Sequence, residues 1–342
     1  MIRDLAVMLA DGGDCVADLR AVSDQAVLFG ATASPSTAFR VIDRIACTPG
    51  LLDALRDAHA RARARVWELA GAPVRLTIDL DATLITAHSE KDRAAGTFKG
   101  SYGFAPMLAY CDETGEALAG ELRSGNAGAN NAADQIAVAE QAVAQIPPEH
   151  IETIELLLRV DSAGACHELL DWCREGQIEF SVGYDWPTGS RVIVRRERAH
   201  PGAQLSFTDI DGHRFQAILT DQTGPLAAIE RDHRGRARVE DHIRNDKDTG
   251  LRNMPFRAFE HNQVWLQVVA LAHDLIVWTQ RLLLTGALAK AEPKRLRYQL
   301  LHIAARLAFH ARTATLRLPA SWPWAQELAT AFKRLKALPA PA

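Results

Sequence analysis

The 342-residue chain lacks most of the features that mark a secreted or membrane-bound protein. Its five cysteines (Cys15, Cys47, Cys111, Cys166 and Cys173) are odd in number, scattered, and contain no CxxC pair. That excludes a disulfide frame and a zinc knuckle, and points to reduced thiols in a cytoplasmic protein. No apolar run approaches the roughly 20 residues of a membrane span, since Leu282-Leu283-Leu284 is closed by Arg281 and Thr285. The opening Met1-Ile2-Arg3-Asp4-Leu5 has no basic segment followed by a clean apolar one, so a signal peptide is not expected. The glycines near 125–128 lack the GK[ST] ending of a P-loop, no HExxH is formed by the twelve histidines, and there is no GxSxG. Nucleotide-binding P-loops, zincin metalloprotease sites and serine-hydrolase elbows are therefore unsupported. What is present is ordinary: 48% hydrophobic and 24% charged residues, a balance that excludes disordered, collagenous and coiled-coil chains.

The net charge of −3 conceals a split. Residues 281–342 carry eleven Lys/Arg against Glu292 and Glu327, a net +9, which leaves −12 for the rest. A cationic region of this kind suits phosphate backbones, although a solvated helical surface has the same composition.

Three textures follow one another along the chain. Residues 1–70 read as helical: Val16, Leu19, Val22 and Ala26 recur at helical spacing, Ser34–Thr37 offers caps, and Leu51–Ala70 has no breakers. From Val74 the period becomes 2, with Leu76, Ile78 and Leu80 alternating with Thr77, Asp79 and Asp81. Tyr102–Tyr110 and Glu116–Leu122, turned at Asp112–Gly115, complete an expected antiparallel meander. A helix capped near Asn131, a strand over Ile151–Val160, a helix over His167–Arg174 and a strand over Ile178–Val182 follow. Residues 186–230 read as a small β-rich insertion with strands near Val192–Val194, Leu205–Phe207 and Phe215–Leu219, and from Arg234 the chain reads as helical nearly to its end. The expected fold class is α/β: a mixed sheet flanked by helices and laid out as in RNase H-like proteins. The expected regions are 1–70, 71–185, 186–230 and 231–342.

Asp81 ends the first strand on its polar face, and Asp161 directly follows Leu156–Val160. Adjacent strands in a mixed sheet would bring these carboxylates together, and crowded carboxylates are relieved by a hard divalent cation. A pair of such ions activates a water or a 3′-hydroxyl and stabilises the leaving oxygen of a phosphodiester. Asp79 shares the strand face with Asp81 and competes for the first position; a helix cap or strand end would equally explain each aspartate alone. His233, Arg236, Glu240, Arg244 and Lys247 are spaced 3, 4, 4 and 3, which on a continuous helix places them on one face. An acid between cations would hold a metal ligand among phosphate-binding groups, although a salt-bridge ladder has the same spacing.

This stretch resembles the Tyr-x2-Arg-x3-Glu-x6-Lys signature of DDE transposases of bacterial insertion sequences. Arg236, Glu240 and Lys247 match, and His233 stands at the tyrosine position. Asp79–Leu84, the Gly125-Asn126-Ala127-Gly128 loop, Arg159–Gly164, Glu240–Arg244 and Lys247–Leu251 are similar to the ordered motifs of one branch of that group. The N-terminal stretch and the insertion both read as short beside that branch.

The resemblance implies an RNase H-like fold with Asp81, Asp161 and Glu240 as catalytic metal ligands. It implies Mg²⁺ as cofactor, with Mn²⁺ able to substitute, and cleavage and strand transfer at the terminal repeats of an element. It also implies DNA as partner, a homodimer in the synaptic complex, and a cytoplasmic, nucleoid-associated location. Arg236, Arg244, Lys247 and His233 are the expected DNA contacts, with Trp186 either stacking on an unpaired base or packing as a partly buried turn residue. Two other readings are a nuclease of the same fold that joins no ends, and a defective copy that binds DNA or inhibits an intact enzyme. Ser34–Ile45 could be a recognition helix or simply a capped one, and Lys99 a phosphate contact or a solvated hairpin lysine. Met254–Leu284, with Trp265 and Trp278, reads as core.

Overall fold

In a computed structural model, all residues are described except 88–89, 129–130, 162–164, 184–190, 199–201, 203–208, 312 and 341–342. The chain divides into two compact units. One comprises Met1–Ala72, Arg244–Phe256 and Glu260–Ala342; the other comprises Pro73–Ile243 and Arg257–Phe259.

The second unit is built on β1 (Arg75–Ala82), whose Leu76, Ile78 and Leu80 are buried as the alternation requires. After β1 come β2 (Ile85–Thr86), β3 (Ala95–Gly96) and β4 (Tyr102–Phe104), which form a small antiparallel sheet of their own. β5 (Met107–Cys111) and β6 (Ala117–Glu121) are the meander partners of β1. The expected single strand Tyr102–Tyr110 is thus two strands in two sheets. Pro106 stands at the break, where it supplies no N–H to continue a ladder.

β7 (Glu155–Val160) and β8 (Glu179–Gly183) add in parallel to β1, each reached through a helix, Ala132–Val143 and then His167–Glu175. Asn131 caps the first of these helices by accepting the Asp134 N–H at 3.3 Å. β7 starts four residues later than its apolar run suggests, because Pro148–Ile151 forms a helical turn, with Pro147 as its cap. β9 (Arg191–Arg198) and β10 (His213–Thr220) pair with each other, and β10 pairs with β8. The β-rich stretch therefore prolongs the sheet to the order β6-β5-β1-β7-β8-β10-β9. Leu205–Phe207 lies outside the described residues. Three antiparallel strands followed by two parallel ones, with helical crossovers, make this an RNase H-like fold.

The register divides the sheet into rows. Ile78, Leu158 and Phe180 form an apolar row, and the adjacent positions Tyr110, Asp79, Arg159 and Ser181 form the next. Adjacent positions face opposite sides of the sheet, so the second row gathers polar groups on one face. The Gly125–Gly128 loop has a packing role: a Cβ at Gly125 would stand 2.4 Å from the Ala95 carbonyl oxygen and 2.6 Å from that of Gly103. Arg123 holds the same loop by donating to the carbonyls of Ala105 and Gly128 and to Asp134, each at 3.0 Å.

The first unit is mainly helical, as expected for residues 1–70, with helices at Ile2–Ala10, Pro35–Cys47 and Leu51–Ala70. Ser34 caps the Pro35–Cys47 helix by accepting the Thr37 N–H. The Phe259–Leu283 helix supplies its core, and Trp265 and Trp278 are buried as expected. Its Asp274 is fully buried with His59 and Arg63, at 2.8 and 2.7 Å. The C-terminal stretch departs from an all-helical reading. β11 (Arg306–His310) and β12 (Thr313–Arg317) form an exposed hairpin, in which the β-branched Thr313 and Thr315 outweigh the helix-favouring Ala and Arg around them.

Candidate active site

The geometry around Asp81 and Asp161 belongs to the second unit. β1 and β7 run in parallel with Asp79 opposite Arg159, so Asp81 and Asp161 each lie two residues further, at the same end of the sheet. The Arg236 guanidinium stands between them, with Nη2 3.4 Å from Asp81 Oδ1 and 3.7 Å from Asp161 Oδ2. Asp81 also accepts the Ala82 N–H at 2.9 Å. Burial pushes the Asp81 carboxyl up; Arg236 opposes this, while the negative charges of Asp161 and Glu240 add to it. The three expected acids are thus electrostatic neighbours at one site. Asp81, Asp161 and Glu240 are not among the clusters of described residues whose ligand atoms all lie within 4.8 Å of one another.

Asp79, two residues before Asp81 on the same face, is already engaged. It is fully buried, and Arg159 grips both its oxygens through Nε and Nη2 at 2.6 Å each. Burial pushes its carboxyl up to about 6 against the pull of Arg159. Arg159 also reaches Asp112 at 2.9 Å and donates to the Asp232 carbonyl, and Arg238 forks onto Asp112. This buried network is what sequence reasoning missed. Arg159 stood in a quoted motif without a role, and no local spacing connects it to a residue 80 positions earlier.

The helix carrying the rest of the site is interrupted. Leu226–Gly235 and Arg238–Asp246 are separate helices joined by a turn at Arg236–Ala237, with hydrogen bonds from Arg236 to His233 and from Ala237 to Arg234. The single helical face expected for the five-residue stripe is thereby broken. Gly235 sits at the break because a Cβ there would meet Arg159 Nη1 at 2.8 Å and Arg238 Nη2 at 2.6 Å.

His233, an expected phosphate contact, is largely buried. Its ring is 6% exposed and shares a 2.8 Å hydrogen bond with the Ser181 hydroxyl through Nδ1. Burial, then the positive charges of Arg236, Arg159 and Arg195, push it down to about 4, so it is neutral at pH 7. With Asp161, Phe215, Gln216 and Arg236 it lines a cleft of about 310 Å³.

Arg244 and Lys247 fall in the first unit. Arg244 pairs with Glu292 at 3.0 Å, and Lys247 opens the irregular turn Lys247–Leu251, where Gly250 adopts φ +100°. Trp186 lies outside the described residues. Lys99 is exposed, its ammonium 5.5 Å from the centre of the Phe98 ring.

The donor set suits a hard divalent cation: it offers three carboxylates, and the charge on Asp81 is opposed first by burial and then by its acidic neighbours, with Arg236 between Asp81 and Asp161 as the counter-charge. No helix among the described residues is long and apolar enough to cross a membrane.

A family model described as "Transposase DDE domain group 1" matches residues 1–185 and 183–340. No curated protein matches the chain. The chain belongs to the transposase DDE domain family.

Proposed function

We propose that this member of the transposase DDE family cleaves DNA at the ends of an insertion sequence and joins them to target DNA. Asp81, Asp161 and Glu240 would hold the divalent ions, Mg²⁺ by their hard-oxygen chemistry with Mn²⁺ as substitute. When bound, such ions activate the attacking oxygen and stabilise the leaving one. In each step one P–O bond forms and one breaks: first with water as nucleophile, releasing a 3′-hydroxyl, then with that hydroxyl attacking a target phosphodiester.

The observation that carries this reading is the Arg236 guanidinium set between Asp81 and Asp161, with Glu240 within electrostatic reach of Asp81. Arg236 lowers the repulsion between the carboxylates, and its unpaired Nε is a donor for a phosphate oxygen. His233, held neutral against Ser181, adds no charge that would compete with a cation. Asp79 and Arg159 act beneath the site as a fixed ion pair that positions β1 against β7. Arg244 and Lys247 are proposed as phosphate contacts outside the acid cluster. Synapsis of two ends calls for a homodimer on DNA.

The test is a strand-transfer assay on DNA bearing the element ends. Products joined to target DNA in the presence of Mg²⁺ support the reading. Cleavage without joining would replace it with a nuclease, and binding without cleavage with a defective copy.

A further inference from the structure

The Pro35–Cys47 helix ends with Asp43 and Cys47 one turn apart, a spacing that puts both side chains on one face. His261, in the first turn of the Phe259–Leu283 helix, meets them there from 218 positions away. All these residues belong to the first unit. His261 Nε2 lies 2.9 Å from Asp43 Oδ1, Cys47 Sγ lies 3.8 Å from the same oxygen, and the three donor atoms fall within 4.8 Å of one another.

We propose that Asp43, Cys47 and His261 form a zinc site that clips the end of the Pro35–Cys47 helix to the start of the Phe259–Leu283 helix. Zinc takes tetrahedral S, N and O ligands at about 2.3, 2.0 and 2.0–2.2 Å, which sets neighbouring donor atoms roughly 3.3–3.6 Å apart. The observed 2.9 and 3.8 Å bracket that spacing, so shifts of a few tenths of an ångström at these two contacts suffice. The imidazole is already oriented: the Phe39 and Phe256 rings stand 5.5 and 5.7 Å from it, centre to centre. The mixed donor set separates this site from the all-carboxylate one. A thiolate and an imidazole favour zinc, whereas magnesium prefers oxygen alone.

Local desolvation, then the negative charges of Asp43 and Glu260, push the Cys47 thiol up, so the metal's positive charge must offset these groups for the thiol to ionise. Binding forms a Zn–S bond and releases the thiol proton to solvent, and a water completes the fourth position. The site was illegible in the sequence because its ligands follow no CxxC or HxxxH spacing. It is independent of the proposed strand transfer.

The test is a cobalt titration of the reduced, chelator-stripped full-length chain. One equivalent of Co²⁺ is expected to produce the near-ultraviolet thiolate-to-cobalt absorption, which Zn²⁺ removes by displacement and Mg²⁺ does not. Cys47→Ser, at an exposed position, abolishes the band while leaving the metal-free circular dichroism and melting curve unchanged. Asp43→Asn and His261→Gln each weaken cobalt binding at least about tenfold, since loss of a ligand should cost no less than loss of an outer-shell partner. No band, a band that persists in Cys47→Ser, or unchanged affinity in His261→Gln would overturn the site.

Discussion

Asp79 and Asp81 lie two residues apart on one face of β1, and their neighbours give them different chemistry. Arg159 saturates Asp79 in the core, so removing the arginine leaves a carboxylate buried without compensation. Arg159→Ala is therefore expected to destabilise the protein by about 3–5 kcal/mol in urea unfolding, whereas Asp79→Leu combined with Arg159→Met costs much less. A loss below about 1 kcal/mol for the single variant would show that the pair is not buried as described. His233 carries the pH dependence. Its folded value of about 4 lies below the ordinary 6.5, so the unfolded chain binds the extra proton between those values and stability falls as pH drops through that window. The loss is on the order of 3 kcal/mol at full effect. Asp79 works in the opposite sense between 3.8 and about 6, where the folded state binds the proton and gains stability on acidification. Comparing His233→Gln with the parent isolates the histidine: unfolding free energies between pH 7 and 4.5 should fall less steeply in the variant, and parallel curves would contradict the assignment. The candidates Asp81, Asp161, Arg236 and Glu240 could be named from sequence, because strand ends and signature spacing mark them, and their proximity is what the structure adds. The choice between Asp79 and Asp81 was not, since it depends on a partner from another strand.

At the scale of elements, period and capping served well where one local rule decided the outcome. The Leu76–Leu80 alternation, the Asp112–Gly115 turn and the Asn131 cap formed as their chemistry requires. They failed where two rules met. Pro106 divides an otherwise continuous β pattern, the Arg236–Ala237 turn divides a helical one, and β11–β12 forms within a composition that favours helix. The Gly125 loop gives a prediction at this level. Its backbone lies so close to the carbonyls of Ala95 and Gly103 that Gly125→Ala should cost about 1–3 kcal/mol by forcing the small sheet away. Thermal melting checks it, and an unchanged midpoint would mean that the loop is not held there.

The whole molecule combines an RNase H-like unit bearing the acids with a helical unit containing the +9 segment at residues 281–342. That helical unit is assembled from three separate stretches, a feature no reading along the chain displays. If cationic side chains contact DNA phosphates, affinity falls steeply with salt, and Lys247→Ala should reduce the slope of log affinity against log salt by about one. An unchanged slope would return Lys247 to a role within the Lys247–Leu251 turn.

The central claim is that Asp81, Asp161 and Glu240 act together on bound metal ions, and one measurement addresses it most directly. The cleavage rate of DNA bearing the element ends is followed in Mg²⁺ for Asp81→Ala, Asp161→Ala and Glu240→Ala, alongside DNA affinity in EDTA. Each substitution removes a proposed hard ligand and leaves every cationic side chain in place, so cleavage should be abolished in all three while affinity stays near that of the parent. Full cleavage by any one of the three would remove that residue from the site and contradict the assignment.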